Sequence, residues 1–140
     1  MTMKKIKWKD SWNIGIDIID DQHKTLMNLL NRIIDKDVDS KELLIELVNY
    51  SGKHFSDEES LMFKKNYPED DFNYHREEHK NFTDLLLDIS FEFLKSRFIN
   101  HDELLSKFKF FCFTWFEVHV VNTDKKLGDF LKNIGGDVSI

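Results

Sequence analysis

Apolar residues recur every three or four positions through most of the chain, the spacing that places them on one face of an α-helix. This pattern predicts four long helices and a short tail helix, over residues 20–36, 40–65, 69–97, 101–121 and 125–132. Residues 1–18 lack the periodicity but carry Trp8 and Trp12, so we expect an ordered arm that packs its aromatic rings across the helices. Long helices joined by short loops predict an all-α, antiparallel up-down-up-down four-helix bundle.

Polar residues at the ends of these segments predict where the helices begin and stop. Asp20 and Ser40 are N-cap candidates for the first two helices. Pro68 ends the second helix, because proline disfavours helical geometry in the residue before it. Asn100 and Glu103 have the spacing of a capping box for the fourth helix.

The composition of the 140 residues is that of one domain, spanning residues 1–140. The net charge of −6 argues against nucleic acid as a partner, and no apolar run is long enough for a membrane span. The first residues lack the apolar stretch of a secretory signal, and Cys112 is the only cysteine, which is typical of a reducing compartment. We therefore expect a cytoplasmic protein, either a monomer or a weak homo-oligomer.

Five of the six histidines and two acidic residues fall in four separate segments at spacings that suit a shared site: His23, His54, Glu58, His75, His79, His119 and Asp124. Residues four apart lie on one face of a helix, so His54/Glu58 and His75/His79 each point two donors the same way. One histidine on an apolar face is usually a core residue. Five on converging faces would leave several buried polar groups without partners, and imidazole with carboxylate suits iron, zinc, copper or manganese. The set predicts a metal site inside the bundle.

The number of donors also predicts how many coordination positions remain open for an external ligand. If two six-coordinate metals share five imidazoles, two bridging carboxylates and one oxo or hydroxo bridge, a single coordination position stays open. Oxygen-activating di-iron sites are rich in carboxylates, whereas this set is rich in neutral imidazoles, which favours the reduced metals. The set therefore favours reversible capture of one small ligand over oxidation chemistry.

Asp124 follows His119 by five residues, one more than a regular helical turn needs. On an ideal helix this step would rotate Asp124 away from the site. For both residues to face the metals, we predict a π-bulge or a helix end between them, since such irregularities concentrate at functional sites.

The residues near these candidate ligands have simpler expected roles. We expect Trp115 and Cys112 to be core residues, and His101 to lie apart from the site. Glu59 and Glu78 adjoin candidate ligands, and we expect their carboxylates to point away into solvent, with a supporting contact to the ligands as the alternative.

Four motifs occur in order along the chain: Trp12-Asn-Ile-Gly-Ile-Asp17 with Asp21-Gln-His-Lys24, then Tyr50-x3-His54-Phe-x2-Glu58-Glu-x2-Met62 with Tyr67-Pro68, then His75-x2-Glu78-His79-x2-Phe82, and finally Trp115-x3-His119-x4-Asp124. Together they resemble the hemerythrin family, specifically the single-domain bacterial members. The resemblance covers nearly the whole chain.

This resemblance implies two non-haem iron ions. His75, His79 and His119 would bind one iron, and His23 and His54 the other. Glu58, Asp124 and an oxo or hydroxo group would bridge them, and O2 would enter the open position on the two-histidine iron. The implied function is reversible O2 binding for carriage or storage, with no enzymatic turnover.

Three other functions remain open from the sequence. A di-iron protein could act on peroxide or nitric oxide, or store iron. A sensor of O2 or redox state is a further alternative, although 140 residues leave no room for a signalling domain beside the bundle. His75-Arg-Glu-Glu-His79 also fits the H-x-x-E-H zinc-peptidase pattern with Glu78 as base, but that interpretation leaves the other five candidate ligands unexplained.

Overall fold

A computed structural model describes residues 5–33, 40–95, 101–135 and 138. These form a 3-10 turn, four long helices, a π-helical turn and a short final helix: Asp10–Trp12, α1 (Asp17–Ile33), α2 (Ser40–Lys64), α3 (Glu69–Lys95), α4 (His101–Val118), the π-helical turn His119–Asp124 and α5 (Lys125–Ile134). The described ranges contain no strand. The predicted all-α four-helix bundle is confirmed. Within these ranges no helix is both long and apolar enough to cross a membrane.

The start of α1 corrects one prediction. The helix begins at Asp17, so Asp20 lies inside its first turns and is not the N-cap. Its buried carboxylate instead accepts hydrogen bonds from the backbone N–H groups of Ile14 (2.8 Å) and Gly15 (3.1 Å). The aspartate therefore holds the end of the arm against α1, a role outside the helix that helical spacing alone does not reveal.

The break between α2 and α3 is confirmed. Asn66 adopts a left-handed backbone (φ 56°), and the Tyr67 N–H donates to the carbonyl of Met62 at 2.9 Å. Pro68 follows and α3 begins at Glu69. The predicted helix ends at residues 36 and 97, and the capping role of Asn100, lie outside the described residues.

The interior of the bundle changes character along its length. One half is packed with apolar side chains: Ile33, Leu43, Leu44, Leu47, Leu86, Phe93, Leu104, Leu105 and Phe108. The other half contains the buried histidines and carboxylates. We refer to these as the apolar half and the polar half.

The arm covers the polar half, as predicted from its tryptophans. Trp12 is buried and packs edge-to-face on Phe116, with ring centroids 5.6 Å apart. Phe116 in turn packs edge-to-face on His23 at 5.7 Å. Beside it, a Cβ on Gly128 would lie 2.9 Å from the carbonyl oxygen of Ile14, so only glycine lets α5 approach the arm this closely.

Candidate metal centre

The structure brings all seven predicted site residues into one buried cluster, each with at most 2% of its surface exposed. They come from α1, α2, α3 and the π-helical turn that continues α4: His23, His54, Glu58, His75, His79, His119 and Asp124. Cys112 is buried but is absent from this cluster. The His101 side chain lies outside what the structure describes.

Asp124 lies at the centre of the cluster and presents its two oxygens in different directions. Oδ1 lies 2.9 Å from Nε2 of His75 and 3.1 Å from Nε2 of His119. Oδ2 lies 3.0 Å from Nε2 of His23. Such a carboxylate is suited to binding two metal ions, one through each oxygen.

Glu58 likewise lies between several imidazoles. Its Oε1 lies 2.9 Å from Nε2 of His54 and 3.4 Å from Nε2 of His79. Its Oε2 is 3.9 Å from Nε2 of His75. Glu58 therefore also lies between imidazoles that belong to different parts of the cluster.

The donors divide into two groups, in each of which one atom per residue lies within 4.8 Å of the others. The three-histidine side consists of His75, His79 and His119 with Glu58 and Asp124. The two-histidine side consists of His23 and His54 with Glu58. Two overlapping groups of donors fit a pair of cations more naturally than a single one.

The predicted irregularity between His119 and Asp124 is confirmed. Residues 119–124 form a π-helix, and the N–H of Lys125 donates to the carbonyl of Val120, five residues earlier. The wider turn takes up the extra residue. His119 and Asp124 therefore face the same cluster, which a regular helix would prevent.

The expectation that Glu59 and Glu78 point into solvent is wrong, and the alternative, a supporting contact to the ligands, is what the structure shows. Glu59 accepts a hydrogen bond from Nδ1 of His79 at 3.2 Å, and Glu78 accepts one from Nδ1 of His119 at 3.1 Å. Each glutamate lies on the flank of its own helix, where a neighbouring helix brings a histidine ring to it. Both bonds join residues far apart in sequence, which explains why spacing within one helix did not reveal them.

Sequence reasoning missed Gln22 as part of the site. Its Oε1 lies 2.5 Å from Nδ1 of His54, and its Nε2 donates to Asp57 at 3.1 Å. Because the amide nitrogen already faces a carboxylate, the amide oxygen is the atom that faces His54. One signal was available, since Gln22 adjoins His23 in the chain as Glu78 adjoins His79.

These outer partners determine which nitrogen of each ring faces the cluster. Gln22, Glu59 and Glu78 present acceptor oxygens, so His54, His79 and His119 donate through Nδ1 and keep a lone pair on Nε2. Those lone pairs point at carboxylate oxygens, which are acceptors too. Among the described residues, both oxygens of Glu58 and both oxygens of Asp124 make no hydrogen bond. The same is true of Nε2 in His23, His75, His79 and His119.

Acceptors that face acceptors in a buried site need a cation or a proton between them. The donor set of five imidazoles and two carboxylates therefore fits metal ions of the iron, zinc, copper and manganese class. The residues present are also consistent with a pair of them.

In the metal-free cluster, protons take the place of the cations on one side. Burial disfavours a charged His119, but the negative charge of Asp124 and the hydrogen bond to Glu78 outweigh it and raise its pKa to about 10. Burial likewise opposes a charge on His79, and Glu58 and Glu59 still raise its pKa. On the other side, burial lowers the pKa of His54 below its usual value.

Aromatic rings enclose the imidazoles. Trp115 stacks on His119 with centroids 4.3 Å apart, and Phe55 stacks on His79 at 4.0 Å. The core role predicted for Trp115 thus includes direct packing on a candidate ligand. Burial also raises the pKa of the Cys112 thiol, as expected for a core cysteine.

A cavity of about 30 Å³ adjoins the cluster. His23, His54, His119 and Asp124 contribute to its wall, and the remainder is mostly apolar, including Leu26, Met27, Leu30, Phe55, Trp115 and Phe116. A space of this size holds about one small molecule. Its lining favours an uncharged, weakly polar occupant.

Comparison with known proteins identifies the family. A family model described as the hemerythrin HHE cation binding domain matches residues 14–131. The chain belongs to the hemerythrin family. A bacteriohemerythrin from Clostridium acetobutylicum is 26% identical over 131 residues, which cover 87% of this chain and 98% of that protein. A hemerythrin-like protein from Naegleria gruberi is 32% identical over 100 residues, or 67% of this chain and 82% of that protein.

Solved structures agree with this assignment. A crystal structure of a hemerythrin variant superimposes with a TM-score of 0.77 at 26% identity, covering 92% of this chain and 98% of that one. A second variant gives a TM-score of 0.76 over 91% of this chain. Membership of the hemerythrin family, together with the buried histidine and carboxylate cluster, supports a metal site at this position.

Proposed function

We propose that this protein binds O2 reversibly at a non-haem di-iron centre and carries or stores it. The proposed ligands are His75, His79 and His119 on one iron and His23 and His54 on the other, with Glu58 and Asp124 bridging them. A single domain formed by residues 1–140, a cytoplasmic location and a monomeric or weakly oligomeric state remain predictions from the sequence.

One observation carries the proposal: buried imidazole lone pairs point at buried carboxylate oxygens from two overlapping groups of donors. Without cations this arrangement leaves many polar atoms unsatisfied, which is costly in a buried site. With two cations every one of these atoms gains a partner. The hemerythrin family makes iron the metal of choice.

The remainder of the site is suited to a small, uncharged ligand. When bound, two ferrous ions supply the electrons that O2 withdraws reversibly. The chain contributes the rest. Asp124 and Glu58 hold the two sides together, Gln22, Glu59 and Glu78 fix the ring orientations, and the apolar cavity excludes water that would carry protons to a bound oxidant.

Metal analysis combined with an oxygenation cycle tests this proposal. We expect about two irons per chain and a visible absorption band that appears with air and disappears on removal of O2. Asp124→Asn should lose the band and most of the iron. Asp129→Asn is the matched control, because Asp129 is exposed on α5, away from the cluster, and pairs with Lys125 at 3.8 Å.

Other results would contradict carriage. One zinc per chain would favour the zinc-peptidase alternative. The Glu78 carboxylate argues against that alternative, because it already accepts hydrogen bonds from His119 and Thr123 and is not free to act as a base. A band that never reverses, or sustained turnover of peroxide or nitric oxide by the purified protein, would favour the redox alternative.

A further inference from the structure

The three-histidine side is supported from behind by carboxylates. Glu59 accepts from Nδ1 of His79 at 3.2 Å through one oxygen, while its other oxygen accepts from Nε of Arg76, also at 3.2 Å. Glu78 accepts from Nδ1 of His119 at 3.1 Å. Two of the three imidazoles on this side therefore donate directly to an anion.

The two-histidine side is supported differently. Nδ1 of His54 faces the neutral amide oxygen of Gln22, and that amide separates this side of the ring from the carboxylate of Asp57. Asp57 in turn is paired with Lys53 at 2.8 Å. Nδ1 of buried His23 has no hydrogen-bond partner among the described residues. Among the described residues, no imidazole on this side donates through its Nδ1 directly to an anion.

This difference affects how strongly each side holds a cation. A hydrogen bond to a charged acceptor is roughly twice as strong as one between neutral groups, so it orients a ring more firmly. A carboxylate behind an imidazole also makes the ring a more basic ligand, and removing such partners typically costs about 10- to 100-fold in metal affinity.

We propose that Glu59 and Glu78 make the three-histidine side the tighter metal position, so that a metal-free chain loads its first metal there. They act as positioning residues, since they touch the imidazoles and not the metal. The inference rests on the proposed two-metal centre and adds an order of assembly to it.

Anaerobic titration of the metal-free chain with Co²⁺ alone tests this order. Calorimetry should resolve two binding steps. After one equivalent, NMR should show the large contact shifts of metal-bound imidazoles at the Nδ1 protons of His79 and His119 and not at that of His54, because contact shifts need a bond to the metal. Glu59→Gln and Glu78→Gln should each weaken the first step by about 10-fold or more and leave the second unchanged.

A charge-conserving exchange tests the same idea in the opposite direction. The double variant Gln22→Glu with Asp57→Asn places the carboxylate directly behind His54 and the amide beyond it, with the same net charge. We expect it to strengthen the second step and narrow the gap between the two affinities. Glu77→Gln is the matched control on α3, because Glu77 is exposed, lies next to Glu78 and belongs to neither group of donors.

The outcomes separate the inference from the function it builds on. A wild-type chain that binds fewer than two Co²⁺ would contradict the two-metal centre itself. Two bound Co²⁺ with first occupancy at His54, or glutamine variants that weaken both steps equally or neither, would overturn the order of loading and leave the proposed function intact.

Discussion

The apolar half and the polar half of the bundle are built on the same helices but are stabilised differently. In the apolar half, side chains such as Leu47, Leu86 and Phe108 fill the interior and need nothing further. In the polar half, the same inner faces carry Glu58, His75 and their neighbours, several of whose polar atoms remain unsatisfied without a cation. The comparison indicates that packing in the apolar half maintains the fold, while the polar half carries the groups that bind a ligand.

The polar half is also the half that needs extra cover. The arm packs Trp12 onto Phe116, and Phe116 onto His23. Asp20 and the close approach of α5 at Gly128 hold that arm in position. Structure outside the four long helices is therefore concentrated where the buried polar groups must be shielded from water.

Metal removal should show the largest difference between the halves. We expect hydrogen exchange to accelerate strongly in residues 75–79 and 119–124 and much less in residues 86–93 and 104–108. The loaded chain should also be more stable, by about 4 kcal/mol per site at a thousandfold excess of free metal over its dissociation constant. Exchange that accelerates equally in both halves would contradict the division.

Truncation in the apolar half should have the next largest effect. Phe108→Ala removes a ring that is 1% exposed and should lower the free energy of unfolding by about 3–5 kcal/mol, with metal stoichiometry unchanged. Denaturant unfolding and metal analysis measure the two quantities. Phe110→Ala is the control on the same helix. Its ring is 73% exposed, so the change should stay within about 0.5 kcal/mol.

A substitution in α5 tests how firmly the arm is held over the polar half. In Gly128→Ala the new methyl group would meet the Ile14 carbonyl at 2.9 Å, and we expect a loss of about 1–3 kcal/mol with faster exchange in the arm. Gly52→Ala is the matched helical control. Nothing lies within 4 Å of its Cβ position, so alanine should stabilise α2 by about 0.5–1 kcal/mol. Equal effects at both positions would show that the arm contact is unimportant.

The final prediction concerns pH, whose effect differs between the two sides of the cluster. Since the pKa of His119 is raised to about 10, its proton stabilises the metal-free fold fully below its unfolded pKa of about 6.5, and this stabilisation is lost as pH rises through 10. Metal must displace that proton, so metal affinity should increase over the same range. His54 has a lowered pKa, so metal binding at neutral pH should release no proton from it.

Calorimetry in buffers of different ionisation enthalpy would measure the protons released. Glu78→Gln should reduce the release from His119. A metal affinity that does not change between pH 7 and 9 would contradict the raised pKa.

Much of the site could be predicted because its residues repeat with the helical period. His54 with Glu58 and His75 with His79 are one turn apart, so spacing alone places each pair on one face. The five-residue step to Asp124 even predicted the π-helical turn, because both residues had to face the same interior. The errors at Asp20, Glu59 and Glu78, and the omission of Gln22, share one cause. Each of these side chains bonds to a group outside its own helical turn.

The sequence by itself therefore determined which residues face inward, where the helices break and which atoms could bind metal, because these properties follow from local geometry and side-chain chemistry. Only the tertiary structure decided which outer partner supports each imidazole and how the two sides of the cluster differ. Those features depend on how neighbouring helices are aligned and rotated against each other, and a shift of a single residue along one helix would exchange one hydrogen-bond partner for another.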